Sequence, residues 1–300
     1  MSIEQSDNGT AKVKSGNIVF RAGRRLRNIL RSKLLTAWPL LPFQRAKHRQ
    51  LLQNADRSDS HTYTSFHRSP AQLAALTGPV IDHVKSSAGA TISINVFAGS
   101  NGSEAYTIAS ELLAHRPDID FSIKASDLQQ DMVDMATAAV YTMEEITQGL
   151  DVPAEFIDRT FDKLGDSYVV KPSIRSKVTF VQADLLSSAL DEQFAPADIV
   201  IAQNVLFHMP PEMARRAFAN IIRFLKPRAA LLLEGTELDM RVELTSDAGL
   251  QPLDFKVKEI YAYSRRHISQ RWWDYYYGNE PYFPFARQRS RRYGTVFLKG

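Results

Sequence analysis

Residues 91–108 constrain the fold of this chain more than any other segment. They read TISINVFAGSNGSEAYTI, in which a β-branched, apolar run leads into a turn with two glycines and then into a helical pattern. The run is typical of a buried strand, and glycine permits a tight turn and a close approach of the backbone to a ligand. Glu104 follows the second glycine, Gly102, by two positions. The segment predicts a nucleotide-cofactor crevice with Gly99 in its turn, although an ordinary strand-to-helix connection also uses glycine.

Acidic or amide side chains follow each of the next three candidate strands. The strands and the residues after them are 121–125 with Asp127, 178–182 with Asp184, and 198–202 with Gln203 and Asn204. The carboxyl ends of parallel strands line the ligand crevice of an open α/β sheet, so these side chains should converge. We expect Asp127 to accept hydrogen bonds from ribose hydroxyls and Asp184 to accept one from an adenine amino group. Gln203 and Asn204 would form the opposite wall.

Longer motifs resemble one family, the chemotaxis-receptor methyltransferases of the CheR type, which use S-adenosylmethionine. The resemblance covers roughly residues 60–237 and includes TYTSFHRSPAQLAAL, FAGSNGSEAYTIA and KASDLQQDMVDMA. Between the second and third candidate strands lies a segment similar to the small β-subdomain of that family. The resemblance implies a class I methyltransferase fold: an α/β, doubly wound, mostly parallel seven-stranded sheet with a small inserted β-subdomain. A strand at 229–235, a helix at 239–248, and the segments LDFKVKEIYAYS and RRYGTVFLKG would complete that sheet.

The resemblance also implies roles for individual residues. Thr62, Thr64 and Arg68 would contact the methionine portion of the cofactor, and Glu104 would lie near its amino group. Asp127 would hold the ribose, Asp184 and Leu185 the adenine, and Gln203 and Asn204 the adjoining wall. Arg68 would also belong to the catalytic residues, and no metal is expected.

Three positions depart from the family pattern after the third and fourth strands. The family usually has Arg-Asn-x-x-x-Tyr where this chain has Gln203, Asn204 and His208, and it often has Asn-Leu where this chain has Asp184 and Leu185. The changes at Gln203 and His208 bear on the methyl acceptor. His208 is either a general base for a hydroxyl or amine acceptor, or a residue that fills the crevice. A carboxylate acceptor would need no base because it is ionised at neutral pH.

Charge and composition divide the chain into regions. Residues 1–50 contain eleven Lys or Arg and two Asp or Glu, whereas the whole chain has a net charge of +4. We predict a basic N-terminal arm with an amphipathic helix at 1–57 and a methyltransferase domain at 58–300. The arm would pack on that domain, or it would contact an acidic protein or a membrane surface. Without cysteine, thiolate chemistry is excluded and a cytoplasmic location is expected.

Within the domain we place an inserted subdomain at 141–176 and an aromatic, arginine-rich insert at 264–290. The insert includes Trp272, Trp273 and Tyr275. It would cover an acceptor pocket or pack on the edge of the sheet, and nucleic acid is not an expected partner.

The predicted function is methyl transfer from S-adenosylmethionine to an oxygen atom of an acceptor protein, with a glutamate carboxylate as the candidate group. Transfer to an oxygen or nitrogen atom of a small molecule, with His208 as base, is the alternative. A module that binds the cofactor only as a signal is a third hypothesis.

Overall fold

The computed structural model describes residues 64–86, 89–148, 150–267 and 280–300. The basic arm, Thr62, and the insert residues Trp272, Trp273 and Tyr275 lie outside these ranges. The strands are β1 (Thr91–Phe97), β2 (Asp120–Asp127), β3 (Val140–Thr142), β4 (Phe161–Leu164), β5 (Ser167–Val170), β6 (Val178–Gln182), β7 (Ala197–Gln203), β8 (Leu225–Glu234), β9 (Gln251–Pro252) and β10 (Val296–Lys299).

Helices connect these strands on both faces of the sheet. They are α1 (Pro70–Ala75), α2 (Ile81–Lys85), α3 (Ser103–His115), α4 (Gln130–Ala138), α5 (Met143–Thr147), α6 (Ala154–Thr160), α7 (Pro172–Arg175), α8 (Leu190–Gln193), α9 (Pro211–Arg223), α10 (Leu238–Asp247), α11 (Val257–His267) and α12 (Arg289–Tyr293). A π-helical turn, Leu76–Val80, joins α1 to α2, and a 3₁₀ turn, Leu206–His208, precedes α9.

Seven of the described strands form one mostly parallel sheet in the order β6-β2-β1-β7-β8-β10-β9. The five strands from β6 to β8 in this order run parallel, and β10 pairs antiparallel with both β8 and β9. A second sheet, β3-β5-β4, is antiparallel and lies in the chain between β2 and β6. The predicted class I methyltransferase fold with its inserted β-subdomain is therefore confirmed, whereas the exact domain boundaries stay predictions.

The strands of the main sheet are buried on both faces. In β7, Ile199 and Ile201 belong to the core on one face, and Val200 and Ala202 belong to the core on the other. A strand covered on both faces has a continuous apolar sequence without alternation, because neither face meets water. This burial explains why the central strands could be recognised from the sequence.

The sixth strand was predicted incorrectly. The segment LDFKVKEIYAYS was expected to contribute a strand, but β9 is only Gln251–Pro252, and most of that segment forms α11. Val257, Ile260, Tyr261 and Ser264 are all buried, and their spacing of three and four residues places them on one face of a helix. That periodicity outweighs the β-branched and aromatic composition of the segment.

Among the described residues, no helix has both the length and the apolar character that crossing a membrane requires.

Candidate functional site

The glycine turn lies at the carboxyl end of β1. The strand order changes direction there, because β2 lies on one side of β1 and β7 lies on the other. The backbone N–H of Gly99 donates to the Ser126 carbonyl at 2.8 Å, and the N–H of Gly102 donates to the Gly99 carbonyl at 3.1 Å. Gly102 has a φ of +88°, and an added Cβ would lie 2.9 Å from Cβ of Ala136. Gly102 is therefore required by packing against α4.

Gly99 differs from Gly102, because nothing in the described chain crowds it. An added Cβ would be 3.6 Å from the nearest atom, in Val96, and the backbone does not have a positive φ. We expected both glycines to let the backbone approach a ligand. At Gly102 the crowding comes from the protein itself, whereas space beside Gly99 remains for a ligand.

Five residues around this turn adopt positive φ angles although they are not glycine. They are His67, Ser69, Ala98, Ser100 and Asn204, with φ between 48° and 57°. Such conformations are costly for residues with a Cβ and recur at ligand sites, where the surrounding structure holds them. Strain is therefore concentrated in three loops: 64–69, 98–102 and the segment after β7.

Asp127 ends β2 and holds the glycine turn in place. Its Oδ2 accepts a hydrogen bond of 2.8 Å from the backbone N–H of Ser100, and its Oδ1 accepts one of 3.0 Å from the N–H of Gln129. A carboxylate has acceptor capacity beyond these two bonds. The carboxylate can therefore support the turn and accept from a ligand at the same time.

Arg68 and Asn204 come together across the crevice. With the Asn204 amide oriented so that its oxygen faces the guanidinium, that oxygen accepts from both terminal nitrogens of Arg68, at 3.0 and 3.2 Å. Glu104 lies within electrostatic reach of Arg68. Burial raises the pKa of Glu104 to about 8, the positive charge of Arg68 opposes that rise, and the carboxylate of Glu234 adds to it. Two loops and the first turn of α3 thus bring Arg68, Asn204 and Glu104 to one place.

Glu234 is a residue that the sequence analysis missed. It ends β8, is 4% exposed, and accepts a hydrogen bond from the Ser264 hydroxyl of α11. Its backbone carbonyl accepts from the N–H of Asn204 at 3.0 Å. The rule that located Asp127, an acidic residue at a strand end, would also have found it, but the strand was expected to end at Gly235.

Asp184 and Leu185 occupy the turn after β6. Asp184 is exposed, and its Oδ1 accepts a hydrogen bond of 2.8 Å from the backbone N–H of Leu186. Leu185 is 8% exposed and belongs to the core beneath α9. Asp184 therefore stabilises its own turn and keeps a second oxygen for a ligand, whereas Leu185 contributes an apolar wall.

The side chain of Gln203 belongs to a series of side-chain hydrogen bonds. Its Nε2 donates to Oε1 of Gln72 at 2.7 Å, and Nε2 of Gln72 donates to the Thr295 hydroxyl at 2.6 Å. Gln72 was not expected from the sequence, because its position in α1 carries no signal of contact with β7. These hydrogen bonds connect the crevice wall to Thr295, the residue that precedes β10.

His208 lies at the end of the 3₁₀ turn and is partly exposed. Its ring centroid is 4.1 Å from that of Phe207. Phe207 is packed so closely on Gly235 that an added Cβ there would be 2.4 Å from the phenyl ring. The position of His208 is thus determined by tight packing of its neighbour.

Loop 64–69, which carries Arg68, is anchored on the β-subdomain. Phe66 is fully buried, and its ring packs edge-on against Tyr141 at 4.9 Å and Phe161 at 5.0 Å. The Tyr141 hydroxyl donates to the Asn101 carbonyl at 2.6 Å, so the subdomain also supports the glycine turn. Thr64 is buried in the same loop. No periodicity in the sequence indicated these contacts, which join residues far apart in the chain.

Part of the aromatic insert packs against the protein, whereas Phe285 in the same segment is 98% exposed. Tyr282 and Phe283 are partly buried against a cluster that includes Tyr261 and Tyr293. Glu280 is buried and accepts from the guanidinium of Arg292 and from the Tyr293 hydroxyl. Tyr282, Phe283 and Glu280 of the insert therefore have a structural role.

A family model matches the region that contains this geometry. The family model described as CheR methyltransferase, SAM binding domain, matches residues 62–246, well over half of the chain. The matched region includes the glycine turn, loop 64–69 and the inserted subdomain. It ends before α11 and the aromatic insert.

Several curated proteins are similar to this chain. An uncharacterized 104.1 kDa protein in the hypE 3' region of Rhodobacter capsulatus is 30% identical over 188 residues, which are 60% of this chain and 19% of that protein. Chemotaxis protein methyltransferase 2 of Vibrio cholerae is 27% identical over 184 residues, which are 60% of this chain and 63% of that protein. A chemotaxis protein methyltransferase of Vibrio parahaemolyticus is 31% identical over 147 residues, or 47% of this chain and 52% of that protein.

This chain spans less than two thirds of the length of each of these relatives. The family match nevertheless covers the whole parallel part of the sheet and all three crevice loops described above. The resemblance predicted from the motifs is confirmed: the chain belongs to the CheR methyltransferase family and has its S-adenosylmethionine-binding domain.

Proposed function

We propose that this protein transfers a methyl group from S-adenosylmethionine to an oxygen atom of an acceptor, with a glutamate side chain of a protein as the favoured acceptor. One observation carries the proposal: Arg68 and Asn204, from two separate loops, and Glu104, from the first turn of α3, converge beside the glycine turn. The names of the relatives, chemotaxis protein methyltransferases, support a protein acceptor.

The residues of the crevice suit the chemical groups of S-adenosylmethionine. Arg68 offers paired donors for the carboxylate of the methionine portion, and Glu104 offers an acceptor for its ammonium group. Asp127 offers acceptors for the ribose hydroxyls, and the room beside Gly99 allows the cofactor to approach the backbone. Thr62 and Thr64 would complete the methionine site, and Asp184 with Leu185 the adenine site.

The cofactor supplies a methyl group on a sulfonium sulfur, which a nucleophilic oxygen can attack. The chain would contribute orientation: loop 64–69, the glycine turn and the segment after β7 would hold the cofactor and the acceptor for the transfer. A carboxylate acceptor is ionised at neutral pH, because glutamate titrates near about 4.3 in water. No general base is then required, and Asn204 and Gln203 would form the wall that meets the acceptor.

Transfer of label tests the acceptor class. The protein is incubated with S-adenosylmethionine that carries a labelled methyl group and with a bacterial lysate, and the protein and low-mass fractions are then separated. A methyl ester on a carboxylate releases methanol in mild base, whereas a methyl ether or a methylamine does not. Base-labile label in protein supports the proposal, and stable label in small molecules contradicts it. Cofactor binding without any transfer would favour the binding-only module.

A small-molecule acceptor with a hydroxyl or amine is the second candidate, and the position of His208 favours it. His208 follows Asn204 in the turn after β7, and the packing of Phe207 holds it there. If His208 removes a proton from the acceptor, His208→Ala should lower turnover by about 10²–10⁴, and the defect should shrink as pH rises.

His208→Gln is the matched variant, because it keeps hydrogen-bonding capacity without basicity. At saturating S-adenosylmethionine, where cofactor affinity does not limit the rate, a carboxylate acceptor predicts little loss in either variant and a flat pH–rate profile above about pH 5.5. A rate that rises through about pH 6–7 in the wild type, and not in His208→Gln, would establish the base.

A further inference from the structure

Glu111 of α3 lies at the centre of a buried cluster of charges outside the cofactor crevice. Its side chain is only 7% exposed. It contacts the guanidinium of Arg159 from α6, Nε2 of His67 at 3.6 Å and Nε2 of His115 at 3.3 Å. Arg159 belongs to the connection within the β-subdomain, and His67 precedes Arg68. One carboxylate on α3 thus contacts both the subdomain and loop 64–69.

Loop 64–69 contacts α3 and α6 through His67. The backbone N–H of His67 donates to the Thr107 hydroxyl of α3 at 3.0 Å, and the His67 ring lies 4.9 Å from the ring of Phe156 in α6. His67 has a φ of 51°, a conformation that persists only if its surroundings impose it. Arg68 is the next residue, so a change in the position of His67 redirects the guanidinium of Arg68.

The charges within the cluster are balanced by Glu111. Arg159 is partly buried and its guanidinium carbon lies 5.2 Å over the Phe156 ring, so its cation depends on Glu111 for compensation. Burial lowers the pKa of His67, Arg159 and His115 lower it further, and Glu111 raises it. A neutral imidazole therefore faces the Glu111–Arg159 pair at neutral pH. Removing Glu111 would take this carboxylate from the partly buried guanidinium of Arg159. Removing Arg159 would leave the buried carboxylate with His67 and His115 beside it, and either loss is costly.

We propose that Glu111 and Arg159 are positioning residues that make the geometry of Arg68, and hence cofactor affinity, depend on how the β-subdomain sits on α3. The inference rests on the proposed function in one respect, namely that Arg68 contacts the cofactor. Glu111 contacts loop 64–69 at His67, and Arg159 contacts Glu111. Their effect passes through His67 and the backbone of loop 64–69.

A double-mutant cycle on Arg68 and Arg159 tests this inference. Affinity for S-adenosylmethionine is measured by calorimetry in the wild type, Arg159→Met, Arg68→Ala and the double variant. Arg159→Met should weaken binding by about 3- to 30-fold, the range for residues that act through a neighbour. The same change should have almost no effect in the Arg68→Ala background, because the residue through which it acts is gone.

Lys163→Met is the matched control. Lys163 is an exposed cation of β4 in the same subdomain, and it lies 5.8 Å over the Tyr168 ring, so the substitution removes a similar cation–π contact without touching Glu111. Equal effects of Arg159→Met and Lys163→Met would overturn the inference. Additive effects of Arg159→Met and Arg68→Ala would also overturn it, because they would show a purely structural loss.

Further variants keep the result decisive. If Arg159→Met does not fold, the cycle is repeated with Arg159→Lys, which retains the charge and should preserve most of the affinity, and with Glu111→Gln, which should reproduce the loss. Full affinity in a folded Glu111→Gln protein would contradict the inference. If Arg68→Ala itself leaves affinity unchanged, the proposed cofactor site is wrong, and this failure is separate from that of the cluster.

Discussion

Asp127 illustrates how one residue can serve both the fold and the ligand. Its two carboxylate oxygens accept from the backbone N–H groups of Ser100 and Gln129, which stiffens the glycine turn. The same carboxylate is our candidate for ribose recognition. A substitution there combines the loss of a ligand contact with the loosening of a loop, so the choice of variant matters.

Asp127→Asn should weaken binding of S-adenosylmethionine by about 1.5–3 kcal/mol, because a hydrogen bond to a charged group is lost while most of the turn is kept. Asp131→Asn, an exposed residue in the first turn of α4, is the control and should leave affinity unchanged. Calorimetry measures both. Undiminished affinity in a folded Asp127→Asn protein would show that the ribose lies elsewhere.

Glu104 should make cofactor binding dependent on pH. Its pKa is raised from 4.5 to about 8, so the carboxyl is mostly protonated at pH 7 in the protein without cofactor. The folded state then binds more protons than the unfolded state, and the free energy of unfolding should decrease as pH rises from about 5 to 8. An ammonium group placed beside Glu104 would favour the carboxylate and displace its proton.

We therefore expect binding of S-adenosylmethionine at pH 7 to release close to one proton and affinity to increase between about pH 6 and 7.5. Calorimetry in two buffers with different ionisation enthalpies counts the protons. Glu104→Gln should abolish both the proton release and the pH dependence. An enthalpy that is identical in both buffers for the wild type would contradict the role of Glu104.

At the scale of elements, the turn between β1 and α3 has two glycines with different tasks. Gly102 must be glycine because of its φ of +88° and the contact with Ala136, whereas Gly99 is uncrowded by the described chain. Gly102 is thus required for folding, and we expect Gly99 to be required for the ligand. Sequence alone presents the two positions as equivalent.

Gly102→Ala should lower the free energy of unfolding by about 1–3 kcal/mol, because its backbone is strained for any residue with a Cβ. Gly99→Ala should change that free energy by no more than about 0.5 kcal/mol and should weaken cofactor binding instead. Denaturant unfolding and calorimetry separate the two effects. A Gly99→Ala protein with full affinity would mean that the cofactor does not approach this part of the backbone.

At the scale of the whole molecule, the cofactor crevice draws on every described layer of the fold. Loop 64–69 rests on the β-subdomain through Phe66, the glycine turn rests on α4 through Gly102, and Gln203 is bonded through Gln72 to Thr295 near the last strand. The contacts described for the crevice lie between Thr64 and Thr295.

Residues 58–300 alone should therefore fold and bind S-adenosylmethionine with an affinity within about threefold of the full chain, a difference near 0.6 kcal/mol. The chain without its first 57 residues retains Thr62 and loop 64–69. Thermal unfolding with and without saturating cofactor checks both properties, since a ligand of the native state must raise the melting temperature. A shortened chain that fails to fold would move the domain boundary into the arm.

The amino-acid sequence by itself determined the central strands, the glycine turn, the inserted subdomain and the family. These features are local: an apolar run, a strand-end carboxylate and the TYTSFHR motif each lie within a few consecutive residues. Strands buried on both faces leave an unambiguous apolar pattern. The short strand β9 and the helix α11 were not recognised, because a segment rich in valine, isoleucine and tyrosine suits either structure until burial selects one face.

Only the tertiary structure decided how the loops of the site are held. Phe66 packs on Tyr141 and Phe161, and Glu111 binds Arg159 and lies beside His67, through contacts between residues distant in the chain. Long-range contacts leave no periodicity in the sequence, because they depend on where the sheet brings separate elements together. The pKa of Glu104 has the same origin, since burial and the charges of Arg68 and Glu234 act on it only after folding.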